Sequence, residues 1–279
     1  MHFYSAPAKL NLMLHVVGQR ADGYHLLQTV FQFLDYSDRI GIKLRNDGLI
    51  RRVSDLENVP EADDLVVKAA RLFADSYESF PGVDLFVEKS IPMGGGLGGG
   101  SSDAASTLMG LNMLLGEKFT INELAQLGVR LGADVPVFIH GQACWAEGVG
   151  EKITPLDLPE PWFLVINPGV HVSTAEIFSH SDLTRSSPLT TIADFFSQGG
   201  RNDCEDLVRK LYPEVDDALI LLSRFAKAGV ARMTGTGASL FVPFDNEQEA
   251  LSVLAKLPQG YEGFVAKGMN RSPLLDDLI

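Results

Sequence analysis

The fold is decided by the stretch Pro92-Met93-Gly94-Gly95-Gly96-Leu97-Gly98-Gly99-Gly100-Ser101-Ser102-Asp103, in which six of the seven residues from 94 to 100 are glycine. An apolar run over residues 83–87 precedes it, and a helical pattern over residues 104–115 follows it. Glycine accepts positive φ and lets the backbone approach a ligand, and free N–H groups at a helix start form an anion site. The stretch therefore predicts a phosphate-binding loop between a strand and a helix, with its last three residues as candidate N-caps.

The glycines have three other interpretations. A flexible Gly/Ser linker is one, although linkers seldom lie directly between a buried strand and an apolar helix. Gly94, Gly96 and Gly99 match the dinucleotide fingerprint, which needs another parallel strand after the helix, whereas a second helical pattern with a capping box begins here at Thr120. A P-loop needs a lysine before its Ser or Thr, and here a glycine precedes Ser101. The pattern favours a phosphate loop of neither common type.

Composition excludes several classes of function. The 279 residues suffice for one large domain or two ordinary ones, and 46% of them are hydrophobic, which is typical of a chain with a full core. The formal charge of −13 argues against non-specific nucleic-acid binding, which needs a basic face. Two cysteines in no paired motif fit a reducing cytosol, and neither a leader nor an apolar run of about 18 residues is visible. We therefore expect a cytoplasmic protein with no nucleic-acid partner and no membrane partner.

Periodic patterns along the chain predict strands mixed with helices. A short first strand is expected to stop at Pro7, and residues 10–17 alternate as the next strand. Residues 135–139 form an apolar run that predicts a further strand. Prolines at 155 and 161, with acidic residues between them, mark a domain boundary. The prediction is an α+β fold of two domains, residues 1–158 and 159–279, with a ligand cleft between them.

Asp134 and Lys9 are the best candidates for phosphoryl-transfer chemistry, which needs a carboxylate to take the acceptor's proton and a cation to neutralise the moving group. Asp134 lies in an otherwise apolar stretch, where a lone carboxylate is costly unless it is paired or functional. Its alternative role is a helix-cap or turn aspartate. Lys9 lies between Pro7 and an alternating strand, and its alternative role is that of a cation on an edge strand.

Other residues suit either a ligand base or an ordinary structural role. Tyr24 and His25 follow a polar loop, where an aromatic ring can stack on a base and a histidine can bond its edge, or both can simply lie on the surface. Phe178 is most simply a core aromatic. A second loop of small residues, 233–239, lies between two predicted strands and suits either a tight hairpin or a close approach to a ligand.

An ordered set of motifs resembles the GHMP kinases, the family named for galactokinase, homoserine kinase, mevalonate kinase and phosphomevalonate kinase. The motifs are Pro7-Ala8-Lys9-Leu10-Asn11-Leu12, residues 92–105, Leu131-Gly132-Ala133-Asp134-Val135-Pro136 and Thr234-Gly235-Thr236-Gly237. Further stretches resemble the branch of the family whose substrate carries a cytidine diphosphate: residues 20–25, 148–151, 202–203 together with Glu205, and 264–268. Each motif alone is weak, and the ordered set, which runs over essentially the whole chain, is highly specific.

The resemblance implies a two-domain GHMP kinase fold. Its N-terminal α/β domain would be of the ribosomal-protein-S5-domain-2-like type and its C-terminal domain ferredoxin-like, with the active site in the cleft between them. The implied activity is ATP-dependent phosphorylation of the 2-hydroxyl of a cytidine-diphosphate-linked methylerythritol, in the non-mevalonate route to isoprenoid precursors. ATP would be the co-substrate, with Mg²⁺ carried mainly by its phosphates and no metal ligand from the protein. The protein would be a monomer or a weak homodimer.

The resemblance also assigns roles to residues. Asp134 matches the family's catalytic base, and Lys9 matches its partner lysine. The residues that match the ATP loop are Pro92, Met93, Gly94, Gly95, Gly96, Leu97, Gly98, Gly99, Gly100, Ser101 and Ser102.

On the substrate side, Tyr24 and Phe178 match the aromatic pair that sandwiches the cytosine, and His25 matches the residue that reads its edge. Asn11 and Thr174 match polar residues near the substrate. The chain departs from the family at Asp64-Leu65, where the family usually has Asn-Leu near the adenine, and an ionised aspartate accepts hydrogen bonds but cannot donate them. The alternatives are another GHMP small-molecule kinase, of homoserine or mevalonate type, and a noncatalytic nucleotide-binding protein on the same fold.

Overall fold

The computed structural model describes residues 1–56, 59–226 and 231–278, and in this part of the chain a ten-stranded sheet carries helices on its faces. The strands are β1 (His2–Gln19), β2 (His25–Leu44), β3 (Ile50–Arg52), β4 (Val83–Glu88), β5 (Cys144–Gly148), β6 (Lys152–Pro155), β7 (Trp162–Asn167), β8 (Arg232–Met233), β9 (Leu240–Phe244) and β10 (Glu262–Met269). The helices are α1 (Leu65–Asp75), α2 (Gly99–Leu114), α3 (Ile121–Val129), α4 (Val135–His140), α5 (Thr174–Ser179), α6 (Ile192–Gln198), α7 (Glu205–Leu211), α8 (Pro213–Ser223) and α9 (Glu247–Leu254), and a 3₁₀ turn spans Pro273–Asp276.

The sheet is continuous across both halves of the chain. Its order is β3-β4-β2-β10-β7-β9-β8, with β1 and β5 also paired to β2, and β6 paired to β5. The β3–β4 pair is parallel and the other pairs are antiparallel. Strand β10 joins the halves, because it pairs with β7 along most of its length and with β2 at Gly268 and Met269.

Four groups of buried side chains lie among the described residues, and three of them matter for the position of the glycine stretch. The first core packs α1, α2 and α4 against β1, β2, β4 and β5. The second packs α5, α7, α8 and α9 against β7, β8 and β9. A third group lies at the junction and includes Leu10 of β1, Leu97 of the glycine stretch and Phe163 of β7. The glycine stretch is therefore anchored where the two halves meet.

The chain crosses between the halves twice. The proposed domain boundary after residue 158 falls between β6 and β7, and it stays a prediction. After β10 the chain returns to the first half, where Leu274 is fully buried in the first core. No described helix, in any of the three described segments, is long and apolar enough to span a membrane.

Strand β1 does not stop at Pro7, so the prediction of a break there was wrong. The strand continues to Gln19, with a register shift between Pro7 and Lys9. A bulge accommodates a residue without an N–H and also redirects the neighbouring groups. The N–H of Lys9 donates to the carbonyl of Leu97 at 2.9 Å, so the irregularity links β1 to the glycine stretch.

Two further predictions about local structure are corrected, and two are confirmed. Residues 135–139 belong to helix α4, not to a strand. Helix α2 begins at Gly99 with Gly98 as its N-cap, so the residues from 101 to 103 lie inside the helix and do not cap it. The strand predicted over residues 83–87 is present, and the capping box of Thr120 and Glu123 starts α3.

Candidate active site

The glycine stretch turns sharply before α2, and two of its glycines are needed for that path. Gly96 has φ +76°, and a Cβ there would collide with the carbonyl oxygen of Thr234. Gly98 has φ +77°, and a Cβ there would lie 2.8 Å from the ring of Phe138. Any other residue would be strained in both places. The first N–H groups of α2, which have no partner within the helix, therefore start directly beyond a tightly packed turn.

The side chain of Lys9 packs against the glycine stretch and hydrogen-bonds to it. Its ammonium group donates to the carbonyl of Gly96 at 2.9 Å and to the side-chain oxygen of Asn11. The side chain is only 3% exposed, and its Nζ lies 3.6 Å from the Asp134 carboxylate. Burial lowers the pKa of Lys9, and the negative charge of Asp134 opposes that shift. The lysine thus lies between the phosphate loop and a carboxylate.

Asp134 is held at the beginning of α4. Pro136 occupies the first turn of that helix, where a missing N–H costs nothing, and the helix buries its apolar side chains. The Asp134 side chain makes no capping bond and is 38% exposed, so it faces the cleft beside Lys9. A carboxylate that is open to a ligand and adjacent to a cation can take a proton from a hydroxyl group.

A buried polar network joins the two halves beneath this pair. The N–H of Asn11 donates to the hydroxyl of Thr234 at 2.9 Å, and its side-chain amide donates to Thr29 at 2.8 Å. The hydroxyls of Thr174 and Thr236 lie 2.9 Å apart. The bond to Thr234 links β1 to the second loop of small residues, and the bond to Thr236 links α5 to the same loop, so this loop contacts the site and is not an isolated hairpin.

One cleft of about 720 Å³ collects most of the predicted site residues. Those that line it are Lys9, Asn11, residues 92–101, Asp134, Thr174 and Phe178. Ser102 is fully buried inside α2 and lies outside this lining, as do Tyr24 and His25. The cleft therefore unites the phosphate loop with Lys9, which lies 83 residues before residue 92, and with Asp134, which lies 33 residues after residue 101.

Of the predicted base-binding residues, Phe178 lines the cleft, and His25 contacts Phe178 from outside that lining. Tyr24 ends the β1–β2 connection and is 62% exposed. His25 begins β2, and its ring centroid lies 5.0 Å from that of Phe178 with the planes 33° apart. Burial and the nearby Arg185 cation lower the pKa of His25. The roles of these three aromatic rings stay predictions.

An ionic cluster behind the phosphate loop was missed from the sequence. The Lys89 ammonium donates to the buried carboxylates of Asp38 and Asp103, the latter at 2.7 Å. Asp38 also accepts the N–H of Ile91 at 2.8 Å. Burial, opposed by Lys89 and reinforced by Asp38, raises the pKa of Asp103 to about 7. The only signal in the sequence is a lysine just before the strand–loop junction, because its partners are remote in the chain.

A second set of polar side chains holds the loop of small residues. Asn202 donates to the carbonyls of Met233 and Gly235 at 2.9 and 2.8 Å. The Glu205 carboxylate accepts the N–H of Met233 at 2.8 Å, and burial raises the pKa of Glu205. These two residues, which belong to one of the stretches that carried the resemblance, therefore shape the loop and do not face the cleft.

Asp64 lines the cleft, and both of its oxygens are engaged within the protein. One accepts the N–H of Val66 as the N-cap of α1, at 2.9 Å, and the other pairs with Arg52 at 2.9 Å. Arg52 is itself held by the carbonyl of Val59. Across the described residues, no group of three or more His, Cys, Asp or Glu side chains lies together as a metal site.

Comparison with known proteins identifies the family. Two family models match, that of the GHMP kinases N terminal domain over residues 64–142 and that of the GHMP kinases C terminal over residues 182–263. A protein of Nitrosococcus oceani named 4-diphosphocytidyl-2-C-methyl-D-erythritol kinase is 53% identical over 278 residues, 100% of this chain and 98% of its own. The chain belongs to the GHMP kinase family. A protein of the same name from Pseudomonas aeruginosa is 52% identical over 96% of this GHMP kinase and 94% of its own length.

Solved structures agree with the family assignment. A crystal structure of 4-(cytidine 5′-diphospho)-2C-methyl-D-erythritol kinase superposes with a TM-score of 0.83 and 30% identity, over 95% of this GHMP kinase and 98% of that chain. A mevalonate kinase superposes with a TM-score of 0.69 and 17% identity, over 97% and 100% of the two chains, and shares the fold. The two-domain GHMP fold class is therefore confirmed, and the protein is a small-molecule kinase.

Proposed function

We propose that this GHMP kinase transfers the γ-phosphoryl group of ATP to the 2-hydroxyl of 4-diphosphocytidyl-2-C-methyl-D-erythritol, in the non-mevalonate route to isoprenoid precursors. The observation that carries the proposal is the ion pair of Lys9 and Asp134, which opens into the same cleft as the glycine stretch. The relatives that share about half of its residues over the full chain are named as kinases of that substrate. We also propose that the enzyme acts in the cytoplasm.

In the proposed reaction, Asp134 takes the proton of the acceptor hydroxyl as its oxygen attacks the γ-phosphorus. The bond from the γ-phosphorus to the β-phosphate oxygen breaks, and ADP leaves. Lys9 stabilises the negative charge that develops on the transferring group and keeps the carboxylate beside the acceptor. The backbone N–H groups at the start of α2 would hold the ATP phosphates, helped by the helix dipole.

We propose that Mg²⁺ is coordinated mainly by the ATP phosphates, where it would neutralise negative charge during transfer. The donors at the loop are backbone N–H groups and the Lys9 ammonium, which suit phosphate oxygens and do not ligate a cation. A nucleotide that brings its own Mg²⁺ fits such a donor set.

The acceptor side supports a substrate with a base. Phe178 lines the cleft, the ring of His25 packs beside it, and Tyr24 directly precedes His25 in the chain. Aromatic rings at this end of the cleft suit stacking on a pyrimidine, whereas homoserine and mevalonate carry no base to stack. A noncatalytic nucleotide-binding protein would not need the carboxylate–lysine pair next to the phosphate loop.

A substrate panel tests the proposal directly. ATP consumption is measured with 4-diphosphocytidyl-2-C-methyl-D-erythritol, homoserine, mevalonate and galactose as acceptors. We expect turnover with the cytidine-linked alcohol alone. Turnover with homoserine or mevalonate instead would favour another GHMP kinase, and turnover with none of the four would favour the binding-protein alternative.

A further inference from the structure

Arg185 ties together two segments at the rim of the cleft. Its Nε donates to Nε2 of His25 at 3.0 Å, which reaches the start of β2. Its Nη2 donates to the carbonyls of Phe178 and His180, both at 2.8 Å, and its Nη1 donates to the carbonyl of Leu183 at 3.2 Å. One guanidinium group therefore connects the ring of His25 to the backbone of Phe178, across 160 residues of sequence in the first of these bonds.

The bonds to α5 follow from the geometry of a helix end. The last carbonyls of a helix have no partner within it, and a cation is favoured near them. Phe178 and His180 supply such carbonyls, because α5 ends at Ser179 and His180 is its C-cap. No carboxylate pairs with Arg185 among the residues that the structure describes, and the four hydrogen bonds that its guanidinium group donates there all go to neutral acceptors.

The bond from Arg185 determines what the His25 ring offers to a ligand. A guanidinium N–H can only donate, so the Nε2 atom of His25 is the acceptor. The ring proton of the neutral imidazole then lies on Nδ1, and that nitrogen has no hydrogen-bond partner within the described segments. Burial and the Arg185 charge lower the pKa of His25, which favours the neutral ring.

We propose that Arg185 is a positioning residue for the base end of the substrate: it fixes His25 so that Nδ1 presents an N–H to an acceptor on a pyrimidine edge, while it holds the backbone of Phe178 for stacking. This inference rests on the proposed cytidine-linked substrate and adds a residue to its site. Arg185 acts through His25 and Phe178 and does not itself reach the lining of the cleft.

Lysine cannot replace this arginine. A guanidinium directs five donors in a fixed plane, whereas an ammonium is a single point with three donors on a flexible stem. The four acceptors come from a ring and three separate carbonyls, and they match a planar fork. Both Arg185→Gln and Arg185→Lys are therefore expected to lose part of the hydrogen bonding that holds His25 and Phe178. Arg185→Lys keeps the positive charge, so it tests geometry apart from charge.

The test is a double-mutant cycle on the affinity for cytidine 5′-diphosphate, measured by calorimetry with wild type, Arg185→Gln, His25→Ala and the double variant. Arg185→Gln is expected to weaken binding by about 10- to 100-fold, the range for losing a hydrogen bond to a charged group. In the His25→Ala background the same change should cost a distinctly smaller factor, because Arg185 then has no ring to position. The KM for ATP should stay within about twofold of the wild-type value.

Arg209→Gln is the matched control. Arg209 pairs with Asp216 between α7 and α8, away from the cleft, and its loss should leave the affinity unchanged. If Arg185→Gln does not fold, Arg185→Lys takes its place in the cycle. Unchanged affinity in the Arg185 variants, fully additive effects of the two substitutions, or an equal loss in Arg209→Gln would overturn the proposal.

The role of Arg185 and the proposed reaction fail in distinguishable ways. A wild-type enzyme that phosphorylates the cytidine-linked alcohol while Arg185 proves silent would refute only the role of Arg185. A wild-type enzyme that binds cytidine 5′-diphosphate through Arg185 and His25 but phosphorylates none of the panel would refute only the proposed reaction.

Discussion

The phosphate end and the base end of the same cleft are built in opposite ways. At the phosphate end, the backbone of Gly96 and Gly98 is packed so closely that a single added carbon would collide with its neighbours, and Lys9 is buried beneath it. At the base end, Tyr24 is 62% exposed, and the rings beside it are held by a few side-chain contacts. One end is preformed by the backbone, and the other presents side chains.

The difference follows from what each end has to recognise. A phosphate is bound by N–H groups whose directions must be set before the ligand arrives, because preorganised donors stabilise the transition state without rearrangement. A base is bound by stacking, which needs only an aromatic face within reach. Substitutions at the two ends should therefore have different effects. Those at the phosphate end should change kcat or stability, and those at the base end should change KM.

The largest expected effect is that of Asp134→Asn. If Asp134 takes the acceptor's proton, the asparagine amide of the variant cannot replace it, because the amide is not a base at neutral pH. The kcat should therefore fall by about 10²–10⁴-fold, the usual contribution of a general base. The affinity for ATP should be nearly kept, because Lys9 still bonds to Gly96 and Asn11. Steady-state kinetics with both substrates, together with ATP binding by calorimetry, check the prediction.

Asp217→Asn controls for the loss of one negative charge, since Asp217 lies exposed on α8. That variant should keep the wild-type kcat. A wild-type kcat in Asp134→Asn would show that Asp134 has no catalytic role and that the phosphate end only binds the nucleotide.

The next effect in size belongs to the base end. Tyr24→Ala should raise KM for the cytidine-linked substrate by the loss of about 1–3 kcal/mol of stacking, with kcat nearly unchanged. Because Tyr24 is mostly exposed, the melting temperature should not move. Kinetics and a thermal melt on the same preparation test both statements.

Tyr24→Phe keeps the ring and removes only the hydroxyl, so it should retain the wild-type KM. If Tyr24→Ala also left KM unchanged, Tyr24 would lie outside the base site. If it lowered the melting temperature instead, the base end would be a structural element like the phosphate end, and the contrast between the two would disappear.

The phosphate end was the more predictable of the two from sequence. A strand pattern, the glycines and a helix pattern follow one another in the chain, so a strand–loop–helix unit can be predicted from residues 83–115 alone. Lys9 and Asp134 were candidates from their local sequence, each with an ordinary structural alternative, and only the ordered motifs paired them, because nothing local shows that they meet. The structure brings them to 3.6 Å, although 124 residues lie between them.

The errors have physical reasons that lie outside the local pattern. The apolar run of residues 135–139 suits a strand or a buried helix equally. Pro136 fits the first turn of a helix, and the residues form α4. The glycine stretch enters α2 earlier than expected because tertiary contacts, not the preference of Ser101 for a cap, set the start at Gly99. Arg185 left no signal, since its partners are carbonyls and a distant ring.

A dependence of stability on pH sharpens the comparison further. Asp103 lies behind the phosphate loop, paired with Lys89, and its pKa is raised to about 7, mainly by burial. An unfolded aspartate titrates near 3.9, so between about pH 4 and 7 the folded chain keeps a proton that the unfolded chain has lost. The free energy of unfolding should therefore fall as pH rises through that window, by at most about 1.4 kcal/mol per pH unit from this group, and level off above it.

Asp103→Asn isolates this contribution, because the amide keeps the shape and does not titrate. Urea unfolding at pH 5.5, 6.5 and 7.5 should show the stability of the wild type falling relative to that of Asp103→Asn as pH rises. Tyr24→Ala, measured alongside, should run parallel to the wild type, since the exposed ring at the base end carries none of this linkage. Parallel curves for wild type and Asp103→Asn would mean that Lys89 keeps Asp103 ionised throughout, and that the phosphate end is held by a permanent ionic cluster.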